Sequence, residues 1–118
     1  MEILVGIGGM FGAIMRFYIG KFIASRTASD FSYATFLINI SGCILLGILM
    51  NLYRSKDIST TIWMLLGVGF LGAYTTFSTF GYETIGFIEK KLYIQGGVYV
   101  LLSITLGIFG AWVGMNIS

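Results

Sequence analysis

The chain contains no proline and no histidine, and Cys43 is its only cysteine. Thiolate–imidazole zinc sites, Ser-His-Asp triads and haem ligation by histidine therefore have no residues to be built from. A disulfide scaffold needs paired cysteines and is excluded as well. Charge is scarce: Asp, Glu, Lys and Arg make up 10% of the 118 residues, seven cations against five carboxylates, for a formal charge of +2. Seven scattered cations make no basic face, so nucleic acid is not an expected partner. Hydrophobic residues are 57% of the chain and the mean hydropathy is +0.91. A soluble enzyme of this size would expose too much apolar surface to stay dissolved, and no enzymatic activity is expected.

The few charges are placed so as to leave long gaps. Residues 31–53, 58–82 and 92–118 carry none. Each gap exceeds the roughly 20 residues that cross a bilayer as a helix. Residues 3–15 are also uncharged, followed by Arg16 and Lys21. A signal peptide has its cations before the apolar stretch; here Glu2 precedes it and the cations follow. The expected fold is an all-α membrane protein, residues 1–118 forming a single domain of four transmembrane helices near 3–24, 33–53, 61–86 and 93–117. Short connections predict that neighbours in sequence are antiparallel neighbours in space.

Lys and Arg near the span ends bias orientation. The side holding both termini and the 54–60 loop carries Arg54 and Lys56; the other carries Lys21, Arg26, Lys90 and Lys91. Four against two is a small bias. It is compatible with one fixed orientation, termini outside, and with insertion both ways round.

Glycine is abundant, 17 of 118, about double the usual share of ~7%. Helices in lipid associate through small residues. Gly8-x-x-x-Gly12 and Gly110-x-x-x-Gly114 follow that pattern, and Gly42, Gly47, Gly67, Gly69 and Gly72 add to it. Each can serve packing within the chain. Together they predict a tight bundle completed by a homo-oligomer, since four helices enclose little of a pore.

Polar residues inside spans are costly and are functional candidates. The third span is richest, from Gly72 through Ala73-Tyr74-Thr75-Thr76-Phe77-Ser78-Thr79-Phe80. Gly72 followed by β-branched threonines predicts a break in the helix near mid-membrane, and freed carbonyls at such a break can ligate a cation. Phe77 and Phe80, three apart, share a face. Against this, Phe in membrane helices commonly meets lipid, and Ser and Thr commonly bond back to the i−4 carbonyl. In the second span, Asn39 either bonds to another helix or offers N–H donors to an anion. Arg16 either snorkels to the interface or lends positive charge to a vestibule. Ser103 and Thr105 in the fourth span are hydroxyls that can line a polar path.

Three stretches resemble the Fluc/CrcB family of fluoride channels. Gly8-Gly9-Met10-Phe11-Gly12-Ala13-Ile14-Met15-Arg16-Phe17-Tyr18 is similar to its first signature. Ala34-Thr35-Phe36-Leu37-Ile38-Asn39-Ile40-Ser41-Gly42 is similar to its second, with Ala34 where Gly is usual and Phe36 for Leu. Thr75-Thr76-Phe77-Ser78-Thr79-Phe80 matches the third residue for residue, although Ala73 replaces the second Gly of a Gly-Gly pair. The resemblance covers almost the whole chain. It implies an antiparallel, dual-topology homodimer in the cell inner (plasma) membrane, with two fluoride pathways and a central structural Na⁺. By position, the backbone carbonyls of Gly72 and Thr75 from both subunits would hold the Na⁺. Phe77 and Phe80 would be the pore aromatics, Asn39 the amide donor, Arg16 the vestibule cation, and Ser78 and Thr79 would help line the path. The alternative is a proton-coupled cation transporter of the small multidrug-resistance type. That chemistry needs a carboxylate within the first span, and here the first span has only the terminal Glu2.

Overall fold

The structure is a computed structural model and describes residues 2–26 and 33–117. Helix α1 spans Glu2–Arg26 and α2 spans Tyr33–Arg54. The third span, Thr60–Glu89, is composite. It begins with the short helix α3 (Thr60–Ile62), widens into a π-helical segment (Trp63–Leu71), returns to α4 (Gly72–Tyr74) and ends as α5 (Phe77–Glu89). Helix α6 spans Tyr93–Ile117. All four spans are long and apolar enough to cross a membrane. The longest dimension is 47 Å, close to the ~40–45 Å of a bilayer with its headgroups.

The connections are short because both helix ends close on themselves. At the end of α2, Asp57 N–H donates to Leu52 O (2.9 Å) and Lys56 N–H to Tyr53 O (3.1 Å). At the end of α5, Leu92 N–H donates to Phe87 O (2.8 Å) and Lys91 N–H to Ile88 O (3.0 Å). Both are Schellman caps, in which one residue takes the left-handed conformation that usually selects glycine. Here that residue is lysine, with φ 63° at Lys56 and 60° at Lys91.

Consecutive spans touch, as the short connections predict, but they are not the most extensive packing partners. The most extensive contacts join α1 to the third span and α2 to α6, so spans pair with their alternates more than with their neighbours. Backbone approach explains the choice. A Cβ on Gly8 would run into Leu65 O, and one on Gly12 into Phe70 O. A Cβ on Gly47 would meet Ala111 O, and one on Gly114 would meet Ile44 O. The two small-residue patterns thus bring α1 onto the third span and α6 onto α2, both within one chain. Loop length limits only which helix comes next; the glycine faces decide which helix comes close.

The buried cluster of Ile38, Leu71 and Tyr74, flanked by Ile19, Leu46, Leu49 and Phe70, lies against the middle of the third span. Tyr99 on α6 is fully buried. Most remaining large apolar residues, such as Phe11, Leu101, Ile108 and Trp112, face outward, as suits a chain whose solvent is lipid.

Candidate functional site

Between Tyr74 and Phe77 the third span leaves the helical conformation. Thr75 (φ −78°, ψ 154°) and Thr76 (φ −143°, ψ 122°) are extended. Gly72, where the sequence suggested the loosening, is itself helical at φ −60°, ψ −37°. The non-helical dihedrals fall instead on the two β-branched residues, whose side chains crowd a helix and suit extended backbone.

Two extended residues leave backbone groups without helical partners, which at this depth must be met by protein or by a polar cavity. Among the described residues no backbone N–H reaches the carbonyls of Gly72, Ala73, Tyr74 or Thr75. Side chains from the other spans meet some of these needs. Arg16 Nε donates to Ala73 O at 3.0 Å. Asn39 Nδ2 donates to Thr76 O at 3.1 Å, and Thr76 N–H donates to Asn39 Oδ1 at 2.8 Å. Ser41 Oγ donates to Ile38 O (3.0 Å), so the Tyr74 hydroxyl must be the donor in its 3.0 Å contact with Ser41. Asn39 is thus engaged with another helix and keeps one amide hydrogen uncommitted.

Helix α5 restarts at a hydroxyl cap. Thr79 N–H donates to Thr76 Oγ1 (3.2 Å), which itself donates to Thr79 Oγ1 (3.1 Å), and Ser78 Oγ lies 3.4 Å from the same oxygen. Ser78 and Thr79 gather on Thr76 and do not line the adjacent cavity.

That cavity, about 280 Å³, is bordered by Asn39, Cys43, Thr76, Phe77, Phe80 and Ser103. It brings together candidate residues from three spans. Ser103 is the most informative: its hydroxyl oxygen is buried and has no hydrogen-bond partner among the described residues. Serine in a helix ordinarily bonds back to its own backbone, and a buried hydroxyl without a partner costs roughly 1–3 kcal/mol. Thr105, paired with Ser103 in the sequence reading, is exposed and takes no part.

Phe77 and Phe80 have ring centroids 6.0 Å apart at 39°. The row continues from Phe80 to Tyr99 (5.1 Å) and from Tyr99 to Phe87 (5.6 Å). The Tyr99 hydroxyl donates to Glu83 Oε1 at 3.2 Å. Sequence reasoning singled out neither Tyr99 nor Glu83. The available signal was a tyrosine and a glutamate on neighbouring apolar spans, each needing a partner.

No group of three or more His, Cys, Asp or Glu that could hold a metal occurs among the described residues. A bound cation would need backbone carbonyls, and the interruption leaves those of Gly72, Tyr74 and Thr75 open among the described residues. Gly72 is exposed, with nothing within 4 Å of the position a Cβ would take. Phe77 is 83% exposed. The site is therefore open on one side of a single chain.

The family model described as "CrcB-like protein, Camphor Resistance (CrcB)" matches residues 3–115. A "Fluoride-specific ion channel FluC 2" of Clostridium acetobutylicum is 48% identical over 98% of this chain and 95% of its own length. A "Fluoride-specific ion channel FluC 1" of Carboxydothermus hydrogenoformans is 44% identical over 96% of this chain and 89% of its own. A "Fluoride-specific ion channel FluC" of Oceanobacillus iheyensis is 40% identical over 98% and 89%.

Proposed function

The chain belongs to the CrcB family, and from that membership we propose that it is a passive, fluoride-selective channel that lets cytoplasmic fluoride leave the cell. The observation that carries this reading is the cavity where the Phe77–Phe80 pair, the free amide hydrogen of Asn39 and the unpartnered Ser103 hydroxyl converge. Fluoride is small and strongly hydrated, so a pathway must replace its water hydrogen bonds in a narrow space. Aromatic rings have electropositive edges, and amide and hydroxyl groups donate hydrogen bonds. The Thr79 hydroxyl lies outside this cavity but, accepting from Thr76, keeps its own hydrogen for an acceptor elsewhere along the path. Arg16 has its Nη groups free among the described residues and lends positive charge to the approach. A weak acid such as HF enters cells neutral and ionises inside, so a passive pathway suffices for export across the inner (plasma) membrane.

The assembly we propose is an antiparallel, dual-topology homodimer with one pathway along each chain. Its support is the open side of the site, where Phe77 and Gly72 face outward, together with the four-against-two cation bias. The intrachain use of the two small-residue patterns leaves the Gly72 face for the partner. A structural Na⁺ at the two-fold axis fits the open carbonyls of Gly72 and Thr75, doubled by symmetry. When bound, it would offset the mutual repulsion of those carbonyl dipoles. Coupled cation transport by the alternative mechanism finds no carboxylate in the first span beyond Glu2.

The test is ion flux from liposomes containing only the purified protein. Fluoride should leave much faster than chloride without ATP or a proton gradient. Comparable rates for the two halides would overturn the reading.

A further inference from the structure

We propose that Arg16 is a positioning residue: by holding the Ala73 carbonyl, it fixes the interruption and decides which carbonyls there stay open to a cation. Of the four carbonyls that lose a backbone partner, at Gly72, Ala73, Tyr74 and Thr75, Ala73 alone among them is claimed by a charged side chain of the described residues, at 3.0 Å from Arg16 Nε. The donor comes from 57 residues away, and the sequence provides for its reach. Gly12 lets α1 back onto Phe70 O, where a Cβ would collide. Arg16 lies four residues on, on the same face of α1, and Ala73 lies three residues beyond Phe70. The close glycine contact thus delivers the guanidinium to the interruption.

The role is geometric, since charge alone works against it. Guanidinium stays protonated, so a positive group sits one residue from Gly72, where it repels a cation instead of attracting one. What Nε contributes is a fixed planar donor that replaces a missing backbone N–H. A flexible ammonium does not reproduce that geometry. With Asn39 holding both backbone groups of Thr76, the segment is pinned on either side of Thr75, and the Gly72 and Thr75 carbonyls remain free.

The cation half of this inference rests on the Na⁺ reading above; the grip on Ala73 does not. Two measurements on Arg16→Lys and Arg16→Gln therefore test it. The first is hydrogen exchange across residues 72–80 of the purified protein. The positioning role predicts at least tenfold faster exchange at the amides of Thr75 and Thr76 in Arg16→Lys. The second is thermal unfolding of the detergent-solubilised protein, titrated with NaCl against an N-methylglucamine background. The half-saturating Na⁺ concentration should rise about tenfold or more in Arg16→Lys. A merely structural loss would lower the midpoint equally at every Na⁺ concentration, and that result would overturn the positioning role. So would wild-type exchange and wild-type half-saturation in Arg16→Lys, with tighter Na⁺ binding in Arg16→Gln, which is the signature of a charge effect alone. Absence of any Na⁺ dependence in the wild type would remove the Na⁺ reading, and the exchange result would then decide the grip on its own.

Discussion

Asn39 and Thr76 pair like two strands of a sheet: the amide side chain donates to the Thr76 carbonyl at 3.1 Å and accepts from its N–H at 2.8 Å. One side chain on α2 thereby satisfies both backbone groups of an extended residue on the third span. The Asn39→Asp variant separates the two bonds. The carboxylate still accepts from Thr76 N–H, yet it faces the Thr76 carbonyl with an acceptor. Orphaning that carbonyl should destabilise the fold by about 1–3 kcal/mol and abolish fluoride flux. Unfolding in detergent and liposome efflux measure the two effects; Asn39→Asp with wild-type values of both would remove the clamp.

Gly42 and Gly72 should respond oppositely to alanine. A Cβ on Gly42 would strike the Thr75 methyl, whose hydroxyl is tied to Leu71 O at 3.0 Å. Gly42→Ala is expected to cost about 1–3 kcal/mol, as overpacked cores do, and to reduce flux by disturbing Thr75. Gly72→Ala meets nothing within 4 Å among the described residues and adds helix propensity worth up to ~1 kcal/mol. Any loss it causes should appear as a lower dimer fraction, read by cross-linking in liposomes. An unchanged dimer in Gly72→Ala would place the partner elsewhere.

The four spans were legible in the sequence because charge cannot be buried in lipid: the gaps between charges bound α1, α2, the third span and α6 to within a few residues. The polar stretch from Tyr74 to Thr79 was likewise visible, since hydroxyls in an apolar run stand out. The pairing of α1 with the third span and of α2 with α6 was not, because GxxxG marks a face without naming its partner. The Arg16–Ala73 and Asn39–Thr76 bonds join residues 57 and 37 positions apart, and local patterns carry no such information. The extended residues fell on Thr75 and Thr76 and not on Gly72, because a side chain was present to receive the Thr76 backbone.

The lysines in the two Schellman caps offer a stability test away from the site. Lys91 has φ 60°, a conformation that costs a non-glycine residue roughly 1–2 kcal/mol. Lys91→Gly regains part of this, less the greater backbone freedom of glycine in the unfolded chain. A net gain of about 0.5–1 kcal/mol is expected in unfolding midpoints, with flux unchanged. A destabilised Lys91→Gly would show that the lysine side chain matters more than its backbone strain.

Topology is decided by few cations. Lys21, Arg26, Lys90 and Lys91 oppose Arg54 and Lys56, a difference small enough for insertion both ways. Single cysteines placed in the 54–60 loop of a Cys43→Ser background should be labelled by impermeant reagents from both sides of the membrane. Labelling from one side only, with full flux, would contradict the dual-topology assembly.

The central claim is that the Phe77–Phe80 pair forms the conducting surface and not simply part of the packing. It is tested most directly by fluoride efflux from liposomes, plotted against dimer fraction, for the Phe77→Ile and Phe80→Ile double variant. Ile keeps the site apolar, and such shape changes cost only about 1–3 kcal/mol, so the dimer should persist while the electropositive ring edges are lost. The account predicts near-complete loss of flux from a folded dimer; wild-type flux from that dimer would contradict it.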